Sequence, residues 1–207
     1  MDTVNMARPG LKKQSRYHHG DLRQALLTSC LEILDRAGVD AVTVRATARE
    51  AGVAHSAPAN HFKDRAALLT QLALDIFAEL LHEIDERRAK SGGDLTDQLH
   101  AFADAVLNYA WRRPNRYRLL WRRDSINPDH PDFQAAGAAI YERLREVLAT
   151  ADGARTISPD TFVVAAWSLV HGYISLRLDG ALLSGRDEIS GESRERAIVT
   201  AMIAGFK

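Results

Sequence analysis

Cysteine is almost absent from this chain: one residue, Cys30, stands among 207. A lone thiol excludes an internal disulfide and a thiolate metal cage, and it fits a reducing compartment. Its expected role is that of a small buried helix residue. There is no unbroken run of about 18 apolar residues, the length that a membrane-spanning helix needs. Arg8, Lys12, Lys13 and Arg16 near the start are not followed by the apolar stretch of a signal peptide. Both absences point to the cytoplasm. Sustained apolar/polar alternation, the mark of half-buried strands, is also missing. So are a Gly-rich phosphate cradle, a Gly-x-Ser-x-Gly elbow and zinc-ligand spacing, and no cofactor or metal is expected.

What is present reads as globular and helical. Hydrophobic residues make up 46% and charged residues 26%, both near the average for folded domains. The formal net charge of zero hides an asymmetry. Through Arg65 there are 10 Lys+Arg against 7 Asp+Glu, and beyond it 17 against 20. A basic first third suits an anionic partner. Apolar positions at three- and four-residue spacing predict a helix over 21–37, opened by Asp21 and stopped at Gly38. A short helix follows Thr43 as N-cap and ends at Gly52, and another spans 55–62. The stripe Leu68, Leu69, Leu72, Ile76, Phe77, Leu80, Leu81 and Ile84 predicts a long helix over 65–90, broken at Ser91-Gly92-Gly93. Helices are then predicted over 94–113, 116–122, 132–151, 160–179 and 192–206. The fold class is therefore all-α.

The segment from Thr43 to Phe62 has the layout of a helix-turn-helix: two short helices joined by a three-residue turn containing a glycine. Ala48 is small where the helices cross, Gly52 suits a left-handed turn, and Val53 and Phe62 are apolar pegs that fix the crossing angle. Pro58 falls near the first turn of the second helix, where a missing N–H costs least. That angle lets the second helix enter a major groove about 12 Å wide.

Tyr17-His18-His19-Gly20-Asp21-Leu22-Arg23, followed by a helix-turn-helix that ends in His61-Phe62, resembles the TetR family of bacterial transcriptional repressors. Ala166-Trp167-Ser168-Leu169-Val170-His171-Gly172 is similar to the Trp-His-Gly type of ligand-binding C-terminal domain in one branch of that family. The resemblance implies a basic N-terminal arm over 1–16, a three-helix DNA-binding domain over 17–64, and a helical-bundle domain for ligand binding and dimerisation over 65–207. It implies a cytoplasmic homodimer on a pseudo-palindromic double-stranded operator, released when a small-molecule effector fills a pocket. Reading heads spaced ~34–36 Å apart would then face successive major grooves.

Departures from the family pattern lie in the recognition segment. Ala54 replaces the usual N-cap serine, Ala59 the usual aromatic and Asn60 the usual basic residue. A cap lost to alanine typically costs ~0.5–2 kcal/mol. Base-reading and near-base candidates are Arg45, Ser56, Ala57, Asn60 and His61, and Asn60 has the amide geometry to read adenine. Thr43, His55, Lys63 and Arg65 are placed for phosphates.

Bundle interiors commonly hold ligands. Phe102, Tyr109, Trp111, Trp121, Tyr141, Trp167 and His171 are the ligand candidates, with Tyr117, Phe133 and Tyr173 as further aromatic material. Trp167 and His171 lie one turn apart and suit either a pocket or a dimer seam. The helix over 160–179 is apolar nearly all round and must be covered on every side. Trp167, Val170 and Ile174, with Ile198 and Met202 on the last helix, are therefore expected at a dimer interface. The arginines 112, 113, 116, 118, 122 and 123 form a basic cluster able to attract an acidic effector, or simply a solvated face.

Two other functions fit parts of the sequence. A helix-turn-helix scaffold with weakened DNA contacts would serve as a ligand- or partner-binding protein. A metal-dependent bundle enzyme would need repeated Glu-x-x-His motifs. Glu79-Leu80-Leu81-His82 is one, and Asp97-Gln98-Leu99-His100 is an imperfect second, too little for a site.

Overall fold

The computed structural model describes residues 19–149 and 157–205. Among the described residues eight α-helices run in the order α1 (His19–Ala37), α2 (Val44–Glu50), α3 (Arg65–Ala89), α4 (Leu95–Arg112), α5 (Pro114–Trp121), α6 (Pro131–Ala149), α7 (Pro159–Leu178) and α8 (Arg194–Ala204). Short 3-10 turns occupy Val39–Ala41 and Ala57–Asn60. Among the described residues the one β pairing is an isolated bridge between Arg186 and Ser193. The basic arm over 1–16 lies outside the described residues, as do Tyr17 and His18.

Local chemistry fixes most helix ends. Thr43 caps α2 by accepting the Ala46 N–H at 3.0 Å, and Asp64 caps α3 by accepting the Ala67 N–H at 2.8 Å. Asp94, Ser158 and Ser193 cap α4, α7 and α8 in the same way. Pro114 opens α5 at a position where no N–H is needed. Asp21, expected as a cap, instead lies inside α1, which is already helical from His19.

The apolar stripe of α3 does what its spacing predicts. Leu68, Leu69, Leu72, Ile76, Phe77, Leu80 and Ile84 are all buried, facing α4, α6, α5 and α1. Buried side chains form one continuous cluster from Leu26 on α1 to Ile203 on α8, so both ends of the chain share a core. Thr70, buried on α3, accepts the Asn127 N–H at 2.8 Å and donates to Ala66 O at 2.7 Å. These bonds anchor the loop before α6. Cys30 is sealed in this core, and burial pushes its thiol up to about 12 against a Thr47 hydrogen bond and the Arg65 charge. It is an inert packing residue, as expected.

Helix α1 and the turn after it are tied by charge to the bundle through α5. Arg116 grips Asp35 of α1 with two hydrogen bonds, at 2.9 and 2.6 Å, and Glu79 of α3 at 3.0 Å. Asn115 donates to Asp35 O at 3.1 Å, and Arg122 reaches Asp40 at 3.2 Å. Arg113 adds contacts to Glu79 and Glu83.

Among the described residues, α7 alone is long and apolar enough to cross a membrane by length and composition, with a mean hydropathy of 1.2. A search for an unbroken apolar run misses it, because Ser168, His171 and Arg177 interrupt the sequence. Its inward face packs on α6, α4 and α8.

Candidate nucleic-acid interface and effector cavity

The turn after α2 has the expected left-handed glycine. Gly52 has φ +66°, its N–H bonds Arg49 O at 3.1 Å, and the Val53 N–H reaches back to Ala48 O at 3.0 Å. This is the paired bonding of a glycine-terminated helix, in which any side chain at Gly52 would be strained. Phe62 is buried and Val53 half-buried against the core, so the two pegs pack as expected, and Ala48 is buried at its crossing position. Thr47 also packs inward, its hydroxyl satisfied by Thr43 O at 2.9 Å.

The second helix differs from its expected form. In place of an α-helix over 55–62 the chain makes a four-residue 3-10 turn, Ala57–Asn60. Pro58 has no N–H to close an α-turn onto Ala54, so the bonds formed are Ala57 to Ala54 and Ala59 to Ser56. Ser56 stands at the N-cap of the turn, but its side chain makes no capping hydrogen bond. Pro58 itself is buried and pins the turn to the body.

Arg45, His55, Ser56, Asn60 and Lys63 are exposed around this turn, and Ala57 and His61 are half-buried. Thr43 is exposed while serving as cap. Arg49 was missed by the sequence reading; it is exposed four residues from Arg45, hence on the same face of α2. Arg65, expected at a phosphate, turns inward: its guanidinium donates to Val42 O at 2.6 Å and Val39 O at 2.7 Å. It ties the start of α3 to the turn that precedes α2. Arg65→Leu is expected to cost about 1.5–3 kcal/mol, the range for losing hydrogen bonds to a charged donor. Guanidinium-induced unfolding measures this, and an unchanged midpoint would show the clamp to be idle.

In the bundle, a cavity of about 410 Å³ opens between residues 38–40 and the α5–α7 pair. Tyr117, Trp121 and His171 form an aromatic corner in its wall, with Val39 and Leu178 as apolar neighbours. Trp121 and His171 have ring centroids 4.8 Å apart, and the Tyr117 hydroxyl lies 2.7 Å from His171 Nδ1. Burial lowers the His171 pKa, favouring the neutral ring. Burial likewise holds Tyr117 protonated, against a smaller pull from Trp121. Trp121 also borders a second cavity of about 290 Å³, with Phe77, Phe133 and Tyr141.

Of the expected ligand residues, Trp121 and His171 line the larger of these two cavities and Tyr141 the smaller. Trp167, 5% exposed, stacks flat behind His171 at 5.7 Å and backs the wall. Three candidates fall elsewhere. Phe102 and Tyr109 are sealed in the core because α4 is packed between α3, α6, α7 and α8. The Tyr109 hydroxyl donates to Glu79 at 2.9 Å. Trp111 packs on Tyr173 and Arg177, away from the cavity. Tyr117, Ser175 and Leu178 are lining residues whose signal was their spacing: four before Trp121, and four and seven after His171.

The expected dimer residues also need correction. Trp167, Val170 and Ile174 are buried within the protomer, so they cannot form an outer seam. The outward side of α7 instead carries Val164, Ala165, Ser168 and Leu176, all exposed. Ile198 and Met202 on α8 are half-buried against the core.

Five of the six arginines of the basic cluster, all but the exposed Arg123, are engaged in ion pairs. Arg112 and Arg113 pair with Glu83, Arg116 with Asp35 and Glu79, Arg118 with Asp179, and Arg122 with Asp40 and Asp124. A wider opening, about 620 Å³, lies between α3, α4 and α8. Most of its charges are paired, Arg87 and Arg196 to Asp104 and Lys90 to Glu86, and it has no phenylalanine, tyrosine or tryptophan in its wall. The aromatic cavity is the better ligand site on chemical grounds. Glu79 is spent on Tyr109, Arg113 and Arg116, and His82 sits on the exposed face beside Glu86.

A helix-turn-helix fused to a helical bundle with a ligand-sized cavity defines a class, the DNA-binding transcription regulators. Residues 99–201 match the family model "Tetracyclin repressor-like, C-terminal domain". An HTH-type transcriptional regulator of Mycobacterium tuberculosis is 25% identical, over 89% of this chain and 81% of its own length. A protein of unknown function from Rhodococcus sp. RHA1 superposes with a TM-score of 0.74 at 25% identity, covering 93% of this chain and 99% of that one. A TetR family regulator from Marinobacter aquaeolei VT8 shares the fold, with a TM-score of 0.64 at 16% identity, covering 89% of this chain and 95% of its own. The chain belongs to the TetR family of transcriptional regulators.

Proposed function

We propose that the chain is a ligand-responsive homodimeric repressor that reads a pseudo-palindromic operator and lets go when a small molecule fills the α5–α7 cavity. The observation that carries this reading is the Gly52 turn, which leaves Arg45 and Arg49 exposed on α2 and His55, Ser56, Asn60 and Lys63 exposed on the segment that follows it. Cations and short polar side chains of this kind are what phosphates and base edges accept. Dimerisation draws support from the outward side of α7, where Val164, Ala165 and Leu176 are exposed and available to a second copy. The four-residue recognition turn supports a second reading, in which DNA contacts are weak and ligand or partner binding is the main role.

A mobility shift against DNA from the protein's own upstream region, titrated with salt, separates the two. The repressor reading predicts an affinity that falls steeply with ionic strength, and Lys63→Ala is expected to flatten the log–log slope by about 0.9 for the one phosphate lost. Arg45→Ala, at a base-reading position, is expected instead to relax sequence preference. Failure to retain any duplex in dilute buffer would leave the second reading.

A further inference from the structure

The chemistry of the α5–α7 cavity narrows the compound it accepts. His171 is half-buried, lines the cavity, and has one ring nitrogen committed to Tyr117 at 2.7 Å. Among the described residues the other polar group beside the Tyr117 hydroxyl, on a residue 1% exposed, is the Trp121 indole N–H, which can only donate. Its O–H therefore donates to Nδ1, since the reverse arrangement would leave a buried O–H unsatisfied. A neutral imidazole that accepts at Nδ1 carries its proton at Nε2. That second nitrogen has no partner among the described residues and is not sealed in the core. The cavity thus presents a fixed N–H donor beside two aromatic walls, Trp121 and Tyr117, inclined to the imidazole at 59° and 40°. The four charged residues that line it, Asp40, Arg118, Arg122 and Asp179, cancel and are mutually engaged.

We propose that this cavity takes a small planar aromatic compound bearing an sp² oxygen, which accepts the His171 Nε2–H while its ring packs against Trp121. Because the lining charges cancel, the oxygen belongs equally to a carboxylate or to a neutral carbonyl. The same ligand meets residues 38–40, which Arg65 holds by their Val39 carbonyl, so it touches the N-terminal unit directly. Naming the ligand an effector rests on the repressor reading; the site itself does not.

Isothermal titration of the full chain with 2-naphthoate, 2-naphthamide and the saturated decalin-2-carboxylate tests the class. Both aromatic probes are expected to saturate one site per protomer, and the saturated acid to bind at least tenfold more weakly. His171→Phe keeps a ring and removes the donor, and should weaken both aromatic probes about tenfold. Ser175→Trp fills the cavity from a lining position without opening the core, and should abolish binding while the melting curve stays cooperative. Trp111→Phe, outside the cavity, should change nothing. Equal binding of the saturated acid, indifference to His171→Phe and Ser175→Trp, or no heat from any probe at millimolar concentration overturns the site. A mobility shift run alongside keeps the two readings apart. DNA retained without probe binding sinks the site alone, and probe binding that leaves a DNA complex intact sinks the effector role alone.

Discussion

Phe77→Ala is expected to destabilise the protein by about 3–5 kcal/mol, the range for truncating a buried phenylalanine. Phe77 is 1% exposed on the inner face of α3 and meets two rings edge-on, Trp121 at 6.1 Å and Phe133 at 5.4 Å. Removing it loses transfer free energy and two aromatic contacts, and it merges new space with the 290 Å³ cavity that Phe77 already borders. Collapse is unfavourable because the neighbouring rings stand on two separate helices, Trp121 on α5 and Phe133 on α6, which cannot close together by rotamer changes alone. For a chain of this size the loss corresponds to a fall in Tm of about 6–20 °C. Phe77→Leu should recover much of it, since the space is largely refilled. Calorimetry or guanidinium unfolding decides the matter, and a loss under about 1 kcal/mol would mean that the site relaxes freely.

The second large effect is expected at Arg116. Arg116→Met keeps the aliphatic stem and removes a guanidinium that holds Asp35 and Glu79 together. Its side chain is 16% exposed, while the carboxylates are 40% and 31% exposed. Breaking a fully buried pair costs about 3–5 kcal/mol, and solvent screening at these carboxylates brings the expectation to about 2–3 kcal/mol. Arg145→Met is the comparison. Arg145 pairs with Glu142 and Asp160 on the surface, where such pairs are worth about 0–1 kcal/mol. Equal losses in the two variants would show that the Arg116 bridge carries no more than a surface pair.

The parts of the fold legible in the sequence are those where local chemistry has one answer. Thr43 and Asp94 are each followed by an amphipathic run, and each is a cap. Gly52 takes the one backbone region that alanine would resist. The α3 stripe has a clear phase, so its buried face follows from spacing alone. The seam residues were misplaced because α7 is apolar on both sides, and a helix without an apolar face carries no phase information. Trp167, Val170 and Ile174 point inward, and Val164 and Leu176 outward, for reasons set by which helices arrive beside them. Aromatic identity had the same weakness: Tyr109 and Trp121 look alike in sequence, yet α4 is enclosed on four sides and α5 is open on one. The helix-turn-helix layout predicts a helix over 55–62, and the missing amide of Pro58 makes its middle a 3-10 turn instead.

The short helix α5 has a practical implication for recombining such regulators. Its eight residues come late in the chain, yet Asn115, Arg116 and, just past its end, Arg122 hold the Asp35–Asp40 stretch near the N-terminus. A chimaera spliced after residue 64 would graft a new head onto a socket cut for the old one. The transferable module is discontinuous, residues 19–64 together with 114–122, and exchanges that carry both pieces are the ones that should preserve communication between head and bundle.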